Sequence, residues 1–95
     1  PEAFLAALRG TPQITLINVH VPYEGELPGT DAFIAFDTIE RQRNRLPPDK
    51  DAAIAVYCLS GRMSEIASRT LRDLGYTNVT ELRGGMIAWH RAGFP

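Results

Sequence analysis

The only cysteine of the chain, Cys58, stands where its side chain can act as a nucleophile. It follows a continuous apolar run, Ala52–Tyr57, which is typical of a strand covered on both faces in a parallel sheet. Open parallel sheets bind their ligands beyond the carboxyl ends of the strands, which is the position that Cys58 occupies. The residues directly after Cys58 therefore decide what its sulfur can do.

The segment from Leu59 to Ser64 has the composition of an anion-binding turn that opens a helix. Gly61 permits a positive φ, which turns backbone N–H groups inward to form an anion nest. The helix expected from Ser64 adds the partial positive charge of its N-terminus, and the Ser64 hydroxyl can cap that helix or bind the anion. Arg62 adds a full charge and a planar fork that suits sulfur oxyanions and carboxylates. Together these features favour a thiolate, or the terminal sulfur of a persulfide, at Cys58.

Helices and strands alternate along the chain around this loop. The sequence predicts a helix at residues 2–9, a strand at 14–19, an extended piece around Phe33–Ile34, a helix from Asp37 to about Leu46, a strand at 52–57, a helix from Ser64 to Leu74, a strand at 79–82 and a last helix that Gly84-Gly85 opens and Gly93 ends. The prediction of the second helix is based on Asp37 followed by Glu40, a capping-box pattern. The prediction of the third helix is based on the spacing of residues 66, 67, 70, 71 and 74, which share one helical face. This alternation predicts a single small α/β domain with a mainly parallel sheet.

The composition excludes several classes of protein. A chain of 95 residues with 44% hydrophobic residues builds one core, and a net charge of −1 without a basic run indicates neither a nucleic-acid nor a membrane surface. The densest basic group, Arg41, Arg43 and Arg45, alternates with polar residues and is typical of a solvated face. No apolar run approaches the roughly 18 residues of a membrane span. A lone cysteine forms no internal disulfide, and His20 and His90 match no ligand spacing, so we expect neither a metal nor a cofactor.

Four motifs are specific in combination. They are Leu16–His20 (Leu-Ile-Asn-Val-His), Leu27–Thr30 (Leu-Pro-Gly-Thr), Val56–Ser64 (Val-Tyr-Cys-Leu-Ser-Gly-Arg-Met-Ser), and Leu74–Val79 leading into Leu82–Trp89 and Ala92–Pro95. Through them the chain resembles a rhodanese-like domain, the family of single-domain thiosulfate sulfurtransferases, over nearly all of its length. The resemblance implies an open parallel sheet flanked by helices on both faces.

The resemblance also implies a reaction. A cysteine thiolate takes the sulfane sulfur of a small anionic donor such as thiosulfate, sulfite leaves, and the resulting persulfide passes its sulfur to cyanide or to a thiol, protein thiols included. Carried onto this chain, Cys58 is the nucleophile and Ser64 supplies the hydroxyl that closes the loop. The amide cradle is assigned to Leu59, Ser60, Gly61, Arg62 and Met63. Arg62 resembles the arginine of that loop, and no nucleic acid or membrane is implied as a partner.

Two positions depart from the family pattern. Asn18 stands where an aspartate is frequent, and His20 where an arginine is frequent. The usual residues tie the strand end to polar groups of nearby loops, so the replacements bear on that network and not on the nucleophile, and the sequence leaves their effect open. Family members also carry a short strand before the first helix, which this chain, beginning at Pro1, does not include. We expect a cytoplasmic location, with the periplasm left open because a targeting segment can have been removed.

Two other enzyme classes use a cysteine at such an edge. Cysteine phosphatases and arsenate reductases need an arginine six residues after the cysteine, whereas position 64 here is serine and the arginine is at 62. A cysteine hydrolase would pair Cys58 with His20, oriented by Glu24. A simple ion pair between His20 and Glu24 is the plainer interpretation, and His90 beside Trp89 suits packing or the surface.

A third alternative is a non-catalytic binding or regulatory module of a larger protein. Modules of that kind often lack the cysteine. The presence of Cys58 together with Gly61 and Arg62 therefore favours an enzyme.

Overall fold

Four short parallel strands form the sheet in the computed structural model, which describes residues 1–95. The strands are β1 (Thr15–Asn18), β2 (Ala32–Phe33), β3 (Ile54–Tyr57) and β4 (Val79–Glu81), in the spatial order β2-β1-β3-β4. The helices are α1 (Glu2–Gly10), α2 (Arg62–Asp73) and α3 (Gly85–Arg91), with a 3-10 turn at Arg43–Arg45. The predicted α/β class with a parallel sheet is confirmed.

The register of the two inner strands brings their carboxyl ends together. Asn18, the last residue of β1, lies opposite Tyr57, the last residue of β3. All four residues of β3 are buried, because the strand has a neighbour on each edge and helices on each face. His20 and Cys58, which follow these strands, therefore emerge at one edge of the sheet.

Two apolar clusters cover the two faces of the sheet. Alternate residues of β1 and β3 point to opposite faces, as the period of two in a strand requires. One cluster packs α2 on Ile17, Val19, Ile54, Val56 and Cys58. The other packs α1 and α3 on Leu16, Ala55 and Tyr57. Helices therefore flank both faces, as the family resemblance implied. None of these helices has the length and hydropathy that crossing a bilayer requires.

Helix α2 begins earlier than predicted, and its buried face contains Ala67 and Leu71 of the predicted face together with two serines. Its N-cap is Gly61 with φ +110°, so the first helical residue is Arg62, whereas the sequence predicted Ser64. Ser64 and Ser68 lie on the buried side, while Ile66 is 38% exposed. Each serine hydroxyl donates to the carbonyl three residues before it, at 3.1 Å and 2.9 Å, so no polar atom is left unpaired. Hydrophobic spacing finds Ala67 and Leu71 on this face and misses the two serines, whose polar groups are satisfied locally.

The predicted helix from Asp37 to Leu46 is wrong. The segment forms turns, and its one helical element is the short 3-10 turn. The Thr38 hydroxyl donates to Ala35 O at 2.9 Å and accepts a hydrogen bond from the Gln42 amide at 2.7 Å. These local bonds tighten the chain into successive turns, and Asp37 makes no capping bond. Ser and Thr side chains compete with helical hydrogen bonds in this way.

The Leu-Pro-Gly-Thr motif is fastened to the end of β3. The N–H of Leu27 donates to Tyr57 Oη at 2.9 Å, the Tyr57 hydroxyl lies 2.7 Å from Thr30 Oγ1, and Thr30 Oγ1 donates to Leu27 O at 2.6 Å. Burial raises the pKa of Tyr57, so its phenol stays protonated as a donor. These three hydrogen bonds fix the side chain of Tyr57, the residue that immediately precedes Cys58.

Candidate active site

Two backbone N–H groups converge on the sulfur of Cys58. Gly61 N lies 3.0 Å and Ser64 N lies 3.4 Å from Cys58 Sγ. The Ser64 hydroxyl oxygen lies 3.6 Å from the same sulfur and donates to Gly61 O. Both amides belong to the turn that starts the 12-residue helix α2, so the partial positive charge of the helix N-terminus also acts on the sulfur. The arrangement stabilises negative charge on Sγ or on an atom bonded to it.

Cys58 is almost completely buried, with 1% of its surface exposed. It belongs to the apolar cluster on the α2 side of the sheet. Apolar walls around a sulfur that accepts two N–H bonds keep competing water away, which strengthens those bonds.

Helix α3 holds the loop from behind. The N–H groups of Met86 and Ile87 donate to Cys58 O at 2.9 Å and to Leu59 O at 3.1 Å. Because the peptide unit is planar and trans, the next N–H groups of the loop point away from α3. The Gly84-Gly85 motif therefore does more than open a helix: it braces the loop. The sequence offered the glycine pair as a signal, but its contact with the loop depends on the tertiary fold.

The residues assigned to the loop by sequence take different positions. Among residues 59–63, Gly61 is the one whose N–H bonds to Sγ. Ser60 and Arg62 are exposed, and Leu59 packs with the apolar cluster around α1 and α3. Met63 turns toward the other cluster, and its sulfur accepts the N–H of Val21 at 3.5 Å.

Beside the loop lies a polar pocket of about 500 Å³ without an apolar side chain in its lining. Gly61, whose N–H bonds to Sγ, forms part of its wall, and Cys58 does not. The lining residues are Ser60, Gly61, Arg62, Glu65, Glu81, Arg83 and Gly84. Arg62 forms no ion pair, and Glu65, which lines the same pocket, is bonded to Arg69 at 2.6 Å. Arg62 is thus a free cation at the mouth of the loop.

The polar network at the end of β1 is intact with Asn18 and His20 in place. Asn18 is fully buried, accepts the His20 N–H at 3.0 Å and donates to Gly25 O at 3.0 Å. His20 Nε2 lies 2.5 Å from Glu24 Oε1. Asn18 keeps the strand end tied to the loop because its amide supplies both a donor and an acceptor. Asn18 and His20 together order the loop that follows β1.

The geometry disfavours both alternative enzymes. No hydrogen bond joins His20 to Cys58, and the other histidine, His90, is exposed at the far end of α3. Ser64, in the place where a phosphatase loop carries its arginine, is buried against Sγ. No three His, Cys, Asp or Glu side chains converge into a metal-binding group.

Comparison with known proteins decides the family. A sequence profile of the rhodanese-like domain matches residues 5–92. The chain belongs to the rhodanese-like family. This rhodanese-like domain is 35% identical to a sulfurtransferase of Allochromatium vinosum, in an alignment that covers 99% of this chain and 88% of that protein.

Larger proteins resemble this rhodanese-like domain in part of their length. A tRNA uridine(34) hydroxylase of Anaplasma marginale is 34% identical over 81% of this chain and 30% of its own length. Among solved structures, a thiosulfate sulfurtransferase of Pseudomonas aeruginosa superposes with a TM-score of 0.76 and 30% identity. That match covers 94% of this chain and 17% of the Pseudomonas protein. The domain thus spans less than a third of these two relatives, whose whole activities are not transferred to it.

Proposed function

We propose that this domain is a sulfurtransferase that moves a sulfane sulfur from thiosulfate, or a related anionic donor, to cyanide or a thiol through a persulfide on Cys58. The observation that carries the proposal is the pair of N–H bonds to Sγ from Gly61 and Ser64 at the start of α2. A buried thiol with a merely structural role needs no such donors. The sulfurtransferase of Allochromatium vinosum supports the same reaction class.

The first half-reaction is a displacement at sulfur. The Cys58 thiolate attacks the outer sulfur of thiosulfate, the Sγ–S bond forms, and the bond to the sulfonate sulfur breaks. Sulfite leaves with the electron pair, and the persulfide keeps one negative charge. That charge lies on the outer sulfur, about 2.0 Å beyond Sγ, where the amides of the turn and the N-terminus of α2 stabilise it.

The second half-reaction regenerates the thiolate. Cyanide attacks the outer sulfur, the bond between the two sulfurs breaks, and thiocyanate leaves while Cys58 recovers its charge. Since donor and acceptor react in turn with one sulfur, the mechanism predicts ping-pong kinetics. Initial rates of thiocyanate formation, measured while both substrates vary, should give parallel double-reciprocal lines. Intersecting lines would indicate a ternary complex and contradict the persulfide route.

Arg62 selects the anionic donor. The sulfonate of thiosulfate must stay at the mouth of the loop while its outer sulfur meets Cys58, and Arg62 is a free cation there. A charge-assisted hydrogen bond contributes about 1.5–3 kcal/mol, so Arg62→Ala should lower kcat/KM for thiosulfate roughly ten- to a hundredfold. The variant should still form the persulfide, because the amides at Sγ remain. It should also lose less activity with a small neutral persulfide donor.

Arg72→Ala is the matched control for Arg62→Ala. Arg72 is exposed in the last turn of the same helix, far from the loop. We expect its kcat/KM for thiosulfate to stay near the wild-type value. Equal losses with the anionic and the neutral donor, in a variant whose circular dichroism matches wild type, would rule out donor selection by Arg62.

The burial of Cys58 favours one alternative, a binding module that does not turn over. With 1% of its surface exposed, the residue resembles a small buried hydrophobe. The two functions differ in one observable: a binding module keeps a free thiol in saturating thiosulfate, whereas the sulfurtransferase is converted to the persulfide.

A further inference from the structure

Four exposed side chains form a row beside the edge strand β2, from the loop after β1 to the 3-10 turn. The Tyr23 hydroxyl donates to Glu26 Oε1 at 2.7 Å. The rings of Tyr23 and Phe33 meet edge to face, with their centroids 5.6 Å apart. Arg45 Nη1 donates to Phe33 O at 3.1 Å. This row, which we call the β2-edge surface, therefore runs in the order acid, aromatic, aromatic, base.

The aromatic centre of the β2-edge surface is unusually exposed. Tyr23 is 53% and Phe33 is 37% exposed, although the two rings are in contact. The other exposed large hydrophobic residues, Ile66 and Ile87, belong to helices that cover opposite faces of the sheet, so they form no such pair. Single exposed apolar residues are ordinary, whereas contiguous aromatic residues are enriched at the centres of protein interfaces.

The charges at the two ends of the β2-edge surface are unpaired within the chain. Neither Glu26 nor Arg45 forms an ion pair. Glu26 has a second carboxylate oxygen to offer, and Arg45 uses only Nη1 in its hydrogen bonds to Phe33 and Gln42. The sequence separates charge in the same way. No Lys or Arg occurs between residues 10 and 40, and Arg41, Arg43 and Arg45 follow directly. The acidic residues of that stretch are Glu24, Glu26, Asp31, Asp37 and Glu40.

We propose that the β2-edge surface binds the same surface of a second copy of this chain in a two-fold symmetric dimer. A two-fold axis through the aromatic centre reverses the row, so Glu26 of each copy faces Arg45 of the other and the four rings pack between the two ion pairs. Such an interface is self-complementary and closes on itself. A partner of purely basic or purely acidic chemistry would leave one end of the row unpaired. Because Arg45 already occupies Phe33 O, the copies meet through side chains and not by pairing of edge strands.

The proposed dimer does not depend on the sulfurtransferase function. None of the four residues lines the pocket beside the active-site loop. Strand β2 lies at the opposite edge of the sheet from β4, whose last residue, Glu81, borders that pocket. Four side chains from each copy make a small interface, so we expect a weak dimer that forms at high protein concentration. Each proposal can therefore fail without the other.

Sedimentation equilibrium of the purified chain at rising concentration tests the dimer. Wild type should show a monomer–dimer equilibrium whose Kd rises with salt, because ions screen the flanking charges. Glu26→Arg and Arg45→Glu each place like charges opposite one another. The two-fold axis repeats that contact, so each variant alone should raise Kd by at least about tenfold. An equal mixture of the two variants should dimerise with a Kd near that of wild type, because their new charges are opposite. Rescue in the mixture also shows that both variants are folded.

Arg72→Glu and Asp73→Arg are the matched controls. They change the net charge by the same amounts as the two test variants, and both residues are exposed at the end of α2, which packs on β3 and β4. We expect each control to keep the wild-type Kd.

Three results would overturn the dimer. The first is a wild-type chain that stays monomeric at every concentration. The second is a dimer whose Kd is unchanged in the test variants, changes equally in the controls, or is not restored in the mixture. The third is a series of species larger than a dimer, which would indicate head-to-tail contacts. If a monomeric chain binds an oligolysine peptide and Glu26→Arg abolishes that binding, the surface serves a basic partner and the dimer is again overturned.

Discussion

Cys58→Ser should abolish thiocyanate formation from thiosulfate and cyanide while leaving the fold intact. The chain has no other cysteine, so nothing else in it can hold a sulfane sulfur as a persulfide. Serine is nearly isosteric, and the N–H groups of Gly61 and Ser64 that now reach Sγ can donate to its hydroxyl. We therefore expect no measurable turnover in a protein whose circular dichroism and thermal transition stay close to those of wild type. Surviving turnover in this variant would mean that the reaction does not pass through Cys58.

Gly85→Ala should unfold or severely disable the domain. A Cβ at Gly85 would lie 2.3 Å from the carbonyl carbon and oxygen of Leu59 and 2.6 Å from Cys58 O, and the backbone there has φ +64°. The positive φ and the clash together should lower the free energy of unfolding by about 2–5 kcal/mol. In a domain of this size that shifts Tm downward by roughly 10 °C or more. Thiocyanate formation at a temperature where the variant is still folded should also drop, because the clash displaces the loop.

Gly93→Ala separates the clash from the backbone strain. Gly93 also has a positive φ, +84°, but a Cβ there meets nothing within 4 Å. It should therefore cost only the strain, about 1–2 kcal/mol, and leave sulfur transfer at the wild-type rate. Thermal denaturation followed by circular dichroism measures both variants. If Gly85→Ala is no less stable or active than Gly93→Ala, the close packing of α3 on the active-site loop does not matter as we describe.

The position of the nucleophile was predictable from sequence because its signals are local. A buried strand, one cysteine and a glycine before a helix follow each other within 13 residues, Ala52–Ser64. The sequence predicts the start of α2 two residues late because Ser64 has the side chain of an N-cap. Its hydroxyl instead donates to Gly61 O, and the glycine takes the N-cap position. That choice depends on backbone conformation, which side-chain preferences do not report.

What surrounds the sulfur depends on contacts between distant segments. The hydrogen bonds from α3 to the carbonyls of Cys58 and Leu59 span about 28 residues of sequence, and no local pattern announces them. Arg83 and Glu81 likewise join Arg62 through the packing of β4 beside β3. The helix predicted from Asp37 is wrong for a local reason. Hydrogen bonds of the Thr38 side chain favour turns over the helix that the capping pattern predicts.

The intact mass of the protein after incubation with thiosulfate tests the central claim most directly. The wild-type chain should gain the mass of one sulfur atom, and cyanide or dithiothreitol should remove it. The Cys58→Ser chain, treated in parallel, should keep its original mass. A wild-type mass that is unchanged in saturating thiosulfate would contradict a Cys58 persulfide formed from this donor.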